Sequence, residues 1–66
     1  MNANLLKYHA AESEKGLQDI AQALGISKRS VEKKLRGETD FKCSEIKTLI
    51  DFLNIPTDDV MRVFFS

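Results

Sequence analysis

No run of apolar residues in this chain is longer than three. A membrane-spanning helix, which needs about 20 in succession, is therefore excluded. The first residues have no basic segment followed by an apolar stretch, so no secretory signal is expected and the expected compartment is the cytoplasm. Cysteine is almost missing. Cys43 stands alone, which excludes an intramolecular disulfide, suits a reducing compartment, and reads as a small, partly buried side chain. Histidine is just as scarce: with His9 alone there is no zinc set, and neither a Cys–His nor a Ser–His–Asp arrangement can be built around it. His9 is expected at the surface or in helix packing. The adjacent carboxylates Asp58 and Asp59 read as first-turn helix residues rather than an acid/base pair. No metal, no cofactor and no enzymatic activity are expected. With 66 residues there is room for one core, so residues 1–66 are expected to form a single domain.

Net charge is also missing, since ten basic residues face ten acidic ones. Taken alone, that argues against a nucleic-acid partner. The distribution argues otherwise. Between Ser27 and Gly37 lie Lys28, Arg29, Lys33, Lys34 and Arg36 against the single acid Glu32, a local charge of +4 that leaves −4 on the rest of the chain. A field segregated in this way steers a polyanion to one face even when the total is neutral. A basic stretch is also how an ordinary solvated helix face looks, so the charge needs structural company.

Five short helices account for the pattern, and nothing alternates cleanly enough to be a strand, so the expected fold class is all-α. Helix 1 should run from about Asn4, as N-cap, to about Glu14, with Leu6 and Ala10 four apart and Leu5 and Tyr8 beside them. Helix 2 should span Leu17 to Leu24, with Leu17, Ile20, Ala21 and Leu24 in one stripe. Gly25 follows where a left-handed cap is wanted, and Ser27 then caps helix 3, which should continue to about Arg36 and end at Gly37. A polar loop with Phe41 as its anchor leads to helix 4 near Ser44, whose stripe is Ile46, Leu49, Ile50 and Leu53. Asn54 suits a left-handed cap, Pro56 stops the helix, and Thr57 should cap a short helix 5.

Two short helices around a tight Gly-containing turn have the geometry of a helix-turn-helix. Ala21 is small where the helices would cross, Ile26 plugs the turn into the core, and Val31 and Leu35 hold helix 3 down. At about 100° per residue, Arg29 and Lys33 fall about 160° and 200° from Val31, one turn apart on the open face. Lys28 and Lys34 sit at the margins, where long stems lie along the protein and ammonium groups reach outward. Long hydrogen-bonding side chains flanked by cations are what a helix lying in a DNA major groove needs.

The segment LQDIAQALGISKRSVEKKLRG (17–37) resembles the helix-turn-helix of the Cro and phage-repressor family of bacterial regulators. The matching positions are Ile20, Ala21, Leu24, Gly25, Ile26, Val31 and Leu35-Arg36-Gly37. The later FKCSEIKTLIDFLNI, followed by a short helix and FF, resembles the variant common in phages of low-GC Gram-positive bacteria. The resemblance implies a lambda-repressor-like, sequence-specific DNA-binding regulator with its recognition helix at about Ser27–Arg36 and double-stranded DNA as partner. It makes Lys28, Arg29, Ser30 and Lys33 the candidate base contacts, and Gln18, Ser27, Lys34, Arg36 and Lys42 the candidate phosphate contacts. Three departures stand out. Lys34 stands where the family often has an apolar residue, with Leu35 beside it to supply the packing. Leu17 occupies the place of the family's usual Gln, with Gln18 the nearest amide, and the loop after Gly37 carries Glu38 and Asp40, leaving Lys42 as its base. These departures leave open a modulator or antirepressor that binds a phage repressor protein. A structural helical domain without nucleic acid is a third reading. Phe52, Val60, Met61, Phe64 and Phe65 crowd the C-terminal part and form the candidate surface for a weak homodimer or for that partner.

Overall fold

The computed structural model describes residues 1–65, and every regular element among them is a helix. In chain order these are α1 (Ala3–Glu12), α2 (Leu17–Leu24), α3 (Lys28–Leu35), α4 (Cys43–Phe52) and α5 (Thr57–Phe64). The fold class is thus all-α with five short helices. None is long and apolar enough to cross a membrane.

Four of the helices close in the same way, through a residue in the left-handed conformation. Gly25 (φ 70°), Gly37 (φ 82°) and Asn54 (φ 53°) stand where the sequence placed them. The fourth is a correction: α1 ends at Glu12, two residues early, and Glu14 itself takes φ 56°. The Lys15 N–H then reaches back to the Ala10 carbonyl at 2.8 Å and the Glu14 N–H to that of Ala11 at 3.0 Å. This closure satisfies carbonyls that the helix leaves unpaired.

The starts of the helices hold further corrections. Asn2, not Asn4, caps α1, its Oδ1 accepting the Leu5 N–H at 3.1 Å. A tertiary bond chose between the two asparagines, since the Asn2 N–H donates to the Val63 carbonyl at 2.7 Å and pins the chain start to α5. α4 begins at Cys43, after Lys42, whose side chain has nothing to accept with. The acid three residues on compensates: the Lys42 N–H donates to Glu45 Oε1 at 2.8 Å, as the Gly16 N–H does to Asp19 Oδ2 at 2.8 Å before α2. Thr57 is the first residue of α5 rather than its cap, and Pro56 takes the cap position.

α2 packs against both α3 and α4, and α1 packs against α5. Leu6, Val31, Leu49, Leu53 and Val63 are the fully buried centre. Each contributes about 1.5–3 kcal/mol by leaving water. His9 is buried too, with its Nε2 2.9 Å from Asp59 Oδ2, a polar tie from α1 to α5. The Ser13 hydroxyl donates to the Leu53 carbonyl at 2.7 Å and joins the ends of α1 and α4.

Three expectations about single side chains fail here. Tyr8 is exposed rather than part of the α1 stripe, and Cys43, at the outward first turn of α4, is exposed rather than partly buried. Phe64 lies in the core, not on a partner surface, because the α3–α4 loop brings Phe41 against it edge to face at 6.4 Å.

Candidate nucleic-acid interface

The basic segment forms α3, and its neighbours fix how that helix is presented. Gly25 turns the chain after α2, and the Ile26 N–H reaches back to the Ala21 carbonyl at 3.1 Å. The Ser27 hydroxyl oxygen accepts the Ser30 N–H at 3.1 Å and starts α3. Val31 has no solvent exposure, and Ala21, at 1%, leaves room for α2 and α3 to pack. The opposite face of α3 is open. Lys28 and Arg29 are exposed, and Ser30 and Lys33 are partly so. Lys28, Arg29 and Lys33 make no ion pair among the described residues.

The other two cations of the segment are held by the protein itself. Lys34 was expected to reach outward but is turned inward, with its side chain only 11% exposed. Its ammonium donates to the Asp40 carbonyl at 2.9 Å, pairs with Glu45 Oε1 at 3.3 Å, and sits 5.7 Å from the centre of the Phe41 ring. As a phosphate contact Lys34 is therefore corrected: its charge is spent joining α3 to α4 and the loop between them. Arg36 stays at the surface, but its Nε donates to Glu38 Oε2 at 2.6 Å. Burial raises the pKa of Glu45, yet the Lys42 N–H, the Lys34 ammonium and the charge of Lys42 outweigh it. The carboxyl is carried below its ordinary value.

The remaining candidates divide by place. Gln18 is exposed in the first turn of α2, Ser27 is exposed at the start of α3, and Lys42 is exposed before α4. Of the candidate partner surface, Met61 (65% exposed) and Phe65 (62%) face solvent. Val60 and Phe52 are partly buried against the core, and the Lys15 ammonium lies 4.9 Å from the centre of the Phe52 ring. Among the described residues no three His, Cys, Asp or Glu side chains gather as a metal set.

Sequence reasoning missed the Lys34–Glu45 and His9–Asp59 pairs. The spacing Lys42-x-x-Glu45 was the available signal for the first, because an acid at the third helical position commonly folds back on the helix start. Nothing local marks the second, which joins residues 50 apart.

Residues 10–66 match the model of a family described as "Protein of unknown function (DUF739)". No curated protein and no solved structure matches the chain.

Proposed function

We propose, for a chain that belongs to the family of proteins of unknown function DUF739, that it is a sequence-specific DNA-binding regulator of the helix-turn-helix type. α2 and α3 form the motif, and α3 enters the major groove. One observation carries this reading: Lys28, Arg29 and Lys33 stand together on the open face of α3 without an internal acid partner. Lys34 and Arg36 are paired within the protein, so these three are the cations of the segment left to meet an anionic partner. Arg29 is suited to bidentate pairing with guanine, and Lys28, Ser30 and Lys33 are the other base-reading candidates. Gln18, Ser27 and Lys42 are left for the phosphates, with Arg36 after release from Glu38.

With so few phosphate contacts one domain binds weakly. Regulators of this type bind paired half-sites about one helical turn apart, so the working form is a weak homodimer on double-stranded DNA. Met61 and Phe65 are the surface that would support it. The test is fluorescence anisotropy with the upstream region of the protein's own gene against a scrambled duplex of equal composition. Tighter binding to the first, with log affinity falling about 0.9 per neutralised phosphate on log salt, is expected. Equal affinity for both duplexes overturns the reading.

One observation favours a second reading. The neutralisation of Lys34 and Arg36 thins the phosphate clamp, while Met61 and Phe65 stay exposed. That combination suits a modulator docking on a repressor protein.

A further inference from the structure

Glu32 is an acid in the middle of a cationic face. With Lys28, Arg29 and Arg36 it lines an open groove of ≈ 480 Å³ along α3. Its position invites an ion pair, since Glu followed by Arg four residues later is the favourable order on a helix. That pair is not made. The Arg36 Nε donates to Glu38 Oε2 at 2.6 Å, and the Glu32 side chain has no hydrogen bond or ion pair among the described residues. Glu38 holds away the cation that would otherwise occupy Glu32.

A free carboxylate on such a surface lowers affinity for any polyanion, because it repels phosphates. It has one compensating use in the major groove. A carboxylate is an acceptor only, so it fits an exposed amino donor and is rejected by the O6 and N7 acceptors of guanine and the O4 of thymine. Cytosine N4 is the donor that Glu and Asp side chains read. The cations nearest it are Lys28 four residues before and Arg29 three before on α3, Arg36 four after at the end of that helix, and Lys7 of α1, which lines a groove with it on the other side.

We propose that Glu32 is a specificity-determining residue that accepts a hydrogen bond from the N4 amino group of a cytosine, adjacent to the bases contacted by Lys28 and Arg29. This rests on the DNA-reading role of α3 and assigns it a discriminating acid besides its cations. Glu32 trades general affinity for selectivity, whereas Lys28, Arg29 and Lys33 contribute to both.

The experiment selects duplexes from a randomised pool with the wild-type protein and with Glu32→Ala, then measures affinities for selected and scrambled duplexes. The wild type is expected to require cytosine at one position. Replacing that cytosine by N4-methylcytosine, which keeps the pair with guanine but puts a methyl group in place of the groove-facing N–H, should weaken wild-type binding about tenfold. Glu32→Ala should lose that one preference, keep the others, and bind scrambled duplex more tightly than the wild type does. A variant that retains the full preference, or a wild type indifferent to the analogue, overturns the role of Glu32 alone. A wild type that selects no sequence overturns the DNA-reading role and this proposal with it. The analogue measurement uses the unaltered protein, so it stands even if the variant is poorly folded.

Discussion

At the scale of single residues, the division between paired and unpaired cations sets the expectations. Arg29→Ala should cost about 1–3 kcal/mol of binding and relax preference at one base position, read by anisotropy over single-base operator variants. Lys34→Ala should act on stability instead. It leaves the Glu45 carboxylate, 8% exposed, without its ammonium partner, and should cost about 2 kcal/mol in urea unfolding with no loss of base preference. An unchanged urea midpoint with uniformly weaker DNA binding would return Lys34 to the phosphates. Glu45 also gives stability an acid limb. Its folded carboxyl titrates below the ordinary value of 4.5, so its contribution is complete above pH 4.5 and is lost as pH falls through the folded value. Glu45→Gln should flatten that part of the unfolding-versus-pH curve. The sequence carried the cluster of bases and the exposure of Arg29, but not which cations remain available. That depends on Glu38, in the loop two residues past Arg36, and on Glu45 of α4, and a projection of α3 alone contains neither.

At the scale of elements, helix existence was legible and helix ends were less so. α2 and α3 lie as expected because their signals are redundant: each closes through a Gly in the left-handed conformation, each carries a buried stripe, and α3 starts at a Ser cap while Asp19 folds back on the start of α2. α1 was misjudged at both ends, where two asparagines competed as caps and Glu14 took a conformation usually given to Gly. A tertiary contact resolves the first, and no propensity encodes it. The closures make a graded prediction. At Gly25 and Gly37 an added Cβ would meet nothing within 4 Å, so Gly→Ala at either site should cost only the backbone penalty, about 1–2 kcal/mol. Glu14→Gly should relieve the same strain and raise the thermal midpoint slightly. A Glu14→Gly variant that melts well below the wild type would mean that the Glu14 side chain is itself holding α1 in place.

At the scale of the whole molecule, a domain measuring 28 × 23 × 20 Å fits beside a copy of itself within about one turn of DNA. How firmly the proposed pair would hold depends on its exposed apolar side chains. A standard interface takes about 800 Å² from each partner, a large share of the 4345 Å² surface of this chain. Met61 and Phe65 supply only a small part of that, which is why pairing is expected to be weak off DNA. Sedimentation equilibrium should therefore find mostly monomer at micromolar concentration, with two protomers per operator duplex, and Phe65→Ser should reduce the second without unfolding the protein. The C-terminal apolar surplus was visible in the sequence, but its division was not, because Phe64 is drawn inward by Phe41 across the α3–α4 loop. The central claim is that the open face of α3 reads DNA sequence. Its most direct measurement is selection from a randomised duplex pool by the wild type and by the triple variant Lys28→Ala, Arg29→Ala, Lys33→Ala, with folding of both checked by circular dichroism. The wild type should recover a motif and the equally folded variant none. A pool left unenriched by the wild type, or the same motif recovered by both proteins, would contradict that claim.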